Sequence, residues 1–266
     1  MKIKSLSTLL AVLGCSVSLG ATTTITNFSD LLGGGTQDGI TLSGTNATTT
    51  GTGGISLNNG SLDFTTSNAV NKPGIAGGNQ FSVALTFDLS TLDSTAGSTL
   101  FSAQFNGGGN FDGLFGAEYK NGAVNFGYWT PSETSGKYNP ISISVTENTG
   151  NLSIVWSKLS DGTIGLDVYL DDTKLGGTFS NQPLAFGGKV LEHLFVGGKG
   201  TTMDGHVTDS FSTSSSLTLE GMQIVTGGVM DEAAFQEYYG KLVPEPAAAS
   251  LSLLGLGMLL VRRRRA

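Results

Sequence analysis

A flat aromatic ring can cover the C–H face of a sugar while a few polar atoms fix its hydroxyls. One segment of the chain has that content: Gly127-Tyr128-Trp129-Thr130-Pro131-Ser132-Glu133, running on to Tyr138-Asn139. Pro131 and Gly136 put it at the end of a strand and in the loop that follows. Tyr128, Trp129 and Tyr138 are therefore the candidate sugar-binding residues. Glycoside hydrolysis would need two carboxylates about 5–5.5 Å apart for retention. The nearest arrangement is Asp167 with Asp171, four residues apart on one strand with Tyr169 between them, and it reads as a solvated strand face. Nucleophilic serine chemistry needs a base, and only His193 and His206 are available, with no Gly-x-Ser-x-Gly run. Both histidines read as surface residues. The triple glycines at 33–35 and 107–109 lack the Lys-Ser/Thr that follows a phosphate loop. Oxygen ligands for a cation are present in Asp161, Asp171, Asp172, Asp204 and Asp209. The loop Met203-Asp-Gly-His-Val-Thr-Asp could hold calcium, although its spacing is not that of an EF-hand. No other cofactor is expected, and the chain reads as a non-catalytic protein.

The elements that must position these residues are short strands. Gly supplies 40 of 266 residues, well above its average share of about 7%. Charged residues make up only 13% and hydrophobic ones 38%, enough apolar content for a core. Phe81, Val83, Leu85 and Phe87 alternate with Ser82, Ala84 and Thr86, the period of a strand with one dry and one wet face. Ile141, Ile143 and Val145 repeat that pattern, as do Leu152, Ile154 and Trp156, and then Leu166, Val168 and Leu170. Trp156 is thereby a core residue. Asp161-Gly162 turns the chain between the last two strands. Leu217 and Leu219 are in phase, but Met222 and Ile224 have slipped by one, which predicts a β-bulge at Gly221. Met230-Asp-Glu-Ala-Ala-Phe-Gln-Glu-Tyr-Tyr-Gly-Lys predicts one short helix, capped by Asp231 and stopped by Gly240. Residues 21–58 are Thr- and Gly-rich, with scattered apolar residues such as Phe28, Leu31 and Leu32 that could start short strands. The run at 48–54 is expected to be a loop. Together these features predict an all-β fold, a two-sheet antiparallel sandwich with one C-terminal helix.

The two ends read as addresses. Lys2 and Lys4, an apolar stretch from Leu6 to Leu13, and Ser18-Leu19-Gly20 before Ala21 make residues 1–20 a secretory signal peptide. Val12-Leu13-Gly14-Cys15 offers a second reading, a lipoprotein box that would lipidate Cys15, the only cysteine. The mature chain then has no thiol and no disulfide. At the other end, Ala247 to Val261 carries no charge, and all four arginines follow as Arg262, Arg263, Arg264 and Arg265. As a helix it would span about 22 Å, short of a hydrocarbon core of about 30 Å unless the arginine stems reach out and the bilayer thins. The arginines mark the cytoplasmic side, which puts the domain outside, where the signal peptide delivers it. Setting aside Lys2, Lys4, the four arginines and Glu245 leaves eight basic and twenty acidic residues, a net charge of −12. Such a domain repels nucleic acid and anionic headgroups.

Val243-Pro244-Glu245-Pro246, the short apolar helix and the arginine cluster together resemble the PEP-CTERM sorting signal. That resemblance implies a partner, an exosortase that cuts near Pro244-Glu245-Pro246 and transfers the product to a surface anchor. Before processing, the C-terminal helix would hold the chain in the membrane. The order of strands also resembles a laminin-G-like, concanavalin A-type jelly roll over about residues 55–240. It is carried by Gln80-Phe-Ser-Val-Ala-Leu-Thr-Phe, Thr99-Leu-Phe-Ser-Ala, Ser153-Ile-Val-Trp, Leu166-Asp-Val-Tyr-Leu-Asp-Asp, Leu194-Phe-Val-Gly-Gly and Leu219-Glu-Gly-Met-Gln-Ile-Val. Where that family often has an Asp-Gly turn the chain has Asp171-Asp172, and where Ile-Asp-Glu is common it has Leu219-Glu220. The resulting organisation is a signal peptide at 1–20, first strands and loops at 21–58, the sandwich at 59–242, and the sorting and anchor segment at 243–266. These resemblances imply export to the cell envelope or surface of a Gram-negative-type bacterium, or to the extracellular matrix after processing, and association with extracellular glycan. The alternatives are a purely structural or protein-adhesion surface protein and, behind both, a glycan-active enzyme.

Overall fold

The computed structural model describes residues 21–66, 74–77, 80–106, 111–129, 141–161, 163–179, 190–198, 212 and 214–243. Its described strands are β1 (Thr22–Ile25), β2 (Ile40–Thr49), β3 (Ile55–Thr66), β4 (Phe81–Asp88), β5 (Ser98–Asn106), β6 (Phe111–Lys120), β7 (Ala123–Trp129), β8 (Ile141–Ser144), β9 (Asn151–Lys158), β10 (Ile164–Leu170), β11 (Thr173–Phe179), β12 (Val190–Val196) and β13 (Ser215–Thr226). All their pairings are antiparallel, in the order β11-β10-β9-β4-β13-β3-β12-β5-β6-β7-β8, with β1 added on β13 and β2 on β3. The all-β expectation holds.

The expectation of two separate sheets is corrected: the described strands form one continuous sheet, whose path folds over on itself into two layers. Trp156 of β9 lies parallel to Phe101 of β5, with ring centroids 5.9 Å apart and planes 4° apart. It also meets Phe115 of β6 at 5.6 Å and Phe81 of β4 at 5.5 Å. Strands far apart along the path thus face each other across one apolar interior, with Trp156 fully buried at its centre. β13 carries the chain between the layers. Its first half pairs with β3 and its second half with β4 and β1. The register shifts between Leu219 and Gly221, so the bulge stands at the slip that the sequence shows. β3 crosses from residue 55 to 66 and β1 pairs with Val225 through Met222, so residues 22–58 share the sheet with the later strands.

Four further expectations are corrected. Phe28, Leu31 and Leu32 do not start a strand. Ser29–Leu32 is a single helical turn, α1, that buries Leu31 while Phe28 packs on Phe64. It and a short 3-10 turn at Leu89–Thr91 mean that the C-terminal helix is not the only one. Thr48 and Thr49 belong to β2, and only the residues after them turn. The helix α2, Glu232–Leu242, begins as expected with Asp231 Oδ1 accepting Ala234 N–H at 2.8 Å, but it runs through Gly240. A Cβ at Gly221 would lie 2.7 Å from Leu242 Cδ1 and 3.0 Å from the Tyr238 hydroxyl. The bulge glycine is therefore the seat of the helix's last turn, and packing there carries the helix past its glycine.

The largest correction concerns the wet face of β4 and β9. Ser82, Thr86, Ser153 and Ser157 are buried, because α2 lies across the outside of that layer. Phe235 stacks on Tyr169 at 3.8 Å, and Tyr238 is fully buried. The small polar side chains satisfy one another under the helix. The hydroxyls of Ser82 and Ser157 are 2.6 Å apart and those of Thr86 and Ser153 2.8 Å apart. Tyr238 adds its hydroxyl to Thr86 at 3.1 Å.

At the same end of the layer, Glu220 titrates above the ordinary glutamate range, chiefly because it is partly buried and further because of the Asp88 charge; the Thr52 hydroxyl pulls the other way. The native state then holds that proton more tightly than the unfolded chain does. This contribution to stability is fully present below the unfolded pKa and is lost as pH rises through the folded one. Glu220→Gln is expected to raise neutral-pH stability by less than about 1 kcal/mol, given solvent screening. It should also flatten the decline in melting temperature between mildly acidic and neutral pH, measured by parallel thermal melts. An unchanged slope in the variant would contradict this assignment.

Candidate functional site

The strand β6 runs Leu114-Phe115-Gly116-Ala117-Glu118-Tyr119-Lys120, and Phe115, Ala117 and Tyr119 are buried in the core. Alternation sets Glu118 and Lys120 on the other face. Beside them β5 begins with Ser98 and Thr99, in register with Tyr119 and Glu118. The turn at 93–97 and the start of β13 close the other sides. Together they form a groove of about 390 Å³.

Its walls are held by hydroxyls. Thr99 N–H donates to Ser215 Oγ at 3.0 Å, and Ser212 N–H donates to Thr99 Oγ1 at 2.8 Å. Asn59, in the left-handed region at φ 50°, donates its N–H to Ser216 Oγ at 3.0 Å and accepts Ser214 Oγ–H at 2.8 Å. Asn tolerates that conformation at modest cost. Asp93 Oδ1 accepts the N–H groups of Ala96 at 2.9 Å and Thr95 at 2.8 Å, and these bonds hold its carboxyl below the usual carboxylate range. The turn thus presents a fixed, ionised carboxylate beside Glu118 and Lys120. Such a groove can accept and donate hydrogen bonds to a polyhydroxylated ligand. No aromatic side chain lines it among the described residues.

The sequence-predicted residues stand elsewhere. Tyr128 and Trp129 end β7, paired with Phe115 and Leu114. Leu114 is four residues along β6 from Glu118, about 13 Å at the strand rise, so this candidate and the groove occupy opposite ends of one hairpin. Tyr138 lies outside the described residues, as do His206, Asp204, Asp209 and the segment from Pro244 onward that the sequence analysis reads as a sorting signal.

Asp167 and Asp171 do not form a pair. Lys174 Nζ sits 2.8 Å from Asp167 Oδ1, while Asp171 Oδ1 accepts Asn151 N–H and the Tyr239 hydroxyl, each at 3.0 Å. The strand face is not solvated at Tyr169, which is buried under α2 and whose phenol is pushed up to about 12, first by burial and then by the Asp167 charge. Asp161 Oδ1 caps its own turn through the Thr163 N–H and hydroxyl. His193 is half-buried, with Nδ1 3.0 Å from Asp63 Oδ1 and its ring parallel to Phe195. Among the described residues no three His, Cys, Asp or Glu side chains gather as a metal site. Nor is any described helix long and apolar enough to cross a membrane.

The groove escaped sequence reading because its residues come from four distant segments and are common Ser, Thr and Asn. One local signal was present: Asp93-Ser-Thr-Ala-Gly97 has the composition of a side-chain-capped turn.

No family model matches the chain, and no curated protein does. Solved structures do resemble it. Trypanosoma rangeli sialidase in complex with the inhibitor DANA aligns with a TM-score of 0.51 at 16% identity, over 75% of this chain and 29% of the sialidase. A protein of unknown function from Shewanella oneidensis MR-1 aligns at 0.48 and 14% identity, over 77% of this chain and 85% of that one. Botulinum neurotoxin type C, described as entering cells through interaction with two ganglioside molecules, aligns at 0.49 and 10% identity over 77% and 47%. The chain thus spans less than a third of the sialidase. At such identities the sialidase likeness shows the fold alone: an antiparallel β-sandwich, which hosts many unrelated functions.

Proposed function

We propose that the chain is an exported, surface-anchored, non-catalytic module that binds extracellular saccharide. The observation that carries the binding reading is the groove between β5, β6 and the start of β13, a concave site lined by hydroxyl, amide and carboxylate groups. The non-catalytic reading is supported by Asp167 and Asp171, which are taken by separate partners and do not form a carboxylate pair. Export and anchoring are supported by the sequence of the two ends: the signal peptide, then Pro244-Glu245-Pro246, the apolar stretch and Arg262 to Arg265. On this reading an exosortase processes the tail, and the membrane holds the chain before that step.

The test has two arms. Protease treatment of intact cells should digest the domain, and deleting the four arginines should move it from the envelope to the medium or degrade it. The full chain in detergent, offered a panel of neutral, acidic and basic polysaccharides with and without calcium, should bind at least one. Binding to none of them in either condition would remove the saccharide reading and leave a structural or protein-adhesion role on the same surface.

A further inference from the structure

We infer that the tip of the β6–β7 hairpin is a site of covalent self-modification, where the backbone nitrogen of Gly122 displaces ammonia from the Asn121 side chain and that residue becomes aspartate or isoaspartate. This is independent of the saccharide reading. The chemistry needs a carboxamide free to turn, a following N–H that no acceptor holds, and no Cβ on the following residue to crowd the ring that forms.

The chain has three Asn-Gly pairs, at 59–60, 106–107 and 121–122. The last meets every condition. Lys120 pairs with Ala123, so Asn121 and Gly122 alone make the turn, at φ 54° and 69°. Positive φ at both positions is what selects this dipeptide. Gly122 accepts Val145 N–H at 2.8 Å, while its own N–H donates to nothing among the described residues. Asn121 is exposed and donates its N–H to Ser94 O at 2.6 Å, but its carboxamide has no partner among the described residues. A Cβ at Gly122 would meet only Val145 O, at 3.5 Å, so the space over the turn is open.

Asn59-Gly60 holds the same two residues shut. Asn59 Oδ1 accepts Ser214 Oγ–H at 2.8 Å, its N–H donates to Ser216 Oγ at 3.0 Å, and its C=O accepts from Asn46 Nδ2 at 3.2 Å. Gly60 is buried in β3, where a Cβ would collide with Thr45 O. Of the third pair, Gly107 lies outside the described residues.

The step balances with water as the co-reactant. Gly122 N gives its proton to solvent base and bonds to Asn121 Cγ; the bond from Cγ to Nδ2 breaks, and Nδ2 leaves as ammonia. Water then opens the succinimide. Breaking the new Cγ–N bond gives aspartate, and breaking the original C–N bond gives isoaspartate, whose main chain is one carbon longer. Both products set a carboxylate beside Lys120, and the longer one no longer fits a two-residue turn.

The experiment holds the full chain in detergent in mildly alkaline buffer for days. Samples are digested in acid, where the reaction is slow, and the peptides are sequenced by mass spectrometry. Asn121 should show the amide-to-acid mass gain at least about tenfold faster than Asn59, a barrier difference of about 1.4 kcal/mol, and its peptide should split into two chromatographic forms. In denaturant the two pairs should react at equal rates, because the selectivity belongs to the fold. Asn121→Gly keeps a two-residue turn and should remove the gain from that peptide. No gain at Asn121, an equal rate at Asn59 in the folded chain, or the same gap in denaturant would overturn the inference. So would a gain that persists in Asn121→Gly and therefore belongs to Asn125.

Discussion

Trp156→Ala is expected to cost about 3–5 kcal/mol, the range for removing a large buried aromatic, and so to lower the melting temperature by roughly 10 °C. The indole is fully buried and meets Phe81 and Phe115 as well as lying flat on Phe101. It is the side chain through which β9 of one layer touches β5 and β6 of the other. Its removal leaves a cavity between two layers whose backbones are fixed by their own hydrogen bonds and cannot close over it. Trp156→Phe separates packing from polarity. Trp156 Nε1 has no hydrogen-bond partner among the described residues, so phenylalanine gives up volume but no bond and should cost only about 1–2 kcal/mol. Chemical denaturation of both variants checks this. Equal losses for Ala and Phe would mean that the indole nitrogen, not its volume, holds the layers together.

Phe235→Ala is expected to have an effect of similar size, about 3–4 kcal/mol, although it lies outside the main core. Phe235 stacks on Tyr169 and also meets Tyr239 at 5.9 Å. Without it α2 loses its central contact and exposes the Ser/Thr bed of β4 and β9. Tyr238→Phe should cost only about 1 kcal/mol, the net value of its bond to Thr86. Hydrogen exchange should show the amides of β4 and β9 opening earlier in Phe235→Ala and not in Tyr238→Phe. Protection unchanged in both would mean that α2 docks loosely and that the sandwich does not depend on it. The docking matters for display as well, because α2 ends at Leu242, two residues before Pro244. On the proposed reading, the segment that would be sorted therefore starts almost directly after a helix packed on the sandwich.

Much of the fold was legible because strand alternation survives in sequence. Phe81 to Phe87 and Leu152 to Trp156 gave their strands and their core face, and the phase slip at Gly221 gave the bulge. What alternation cannot reveal is what covers the other face. Ser82, Thr86, Ser153 and Ser157 look like solvent-facing residues, yet they are small side chains sized to lie under a helix more than sixty residues further on in the chain. Phe28 and Leu31 stand three apart, a helical spacing, but a single turn is too short for that period to stand out in a Thr- and Gly-rich segment. The strands β6 and β7 lack the clean alternation of β4 and β9, yet their turn, Asn121-Gly122, carries positive φ at both positions and is a strong two-residue hairpin signal.

The site was less legible than the fold. The aromatic pair Tyr128 and Trp129 stands at one end of β7, whereas the groove is built at the other end from polar residues that carry no periodic signal. Asp167 and Asp171 show the same limit from the other side. Sequence spacing put them on one strand, but each is taken by a separate partner, Lys174 and the Tyr239–Asn151 pair.

The central claim, saccharide binding in the groove, is tested most directly by blocking it. Ala96 lines the groove and is exposed, and it contributes only its N–H to the turn, so Ala96→Trp fills the space without removing a hydrogen bond. Affinity of the full chain for its best-binding polysaccharide would be measured by isothermal titration for the parent, Ala96→Trp and Trp129→Ala. Loss of binding in Ala96→Trp with Trp129→Ala unchanged is the predicted result. Full binding by Ala96→Trp, with loss in Trp129→Ala, would contradict the groove and return the site to the far end of β7.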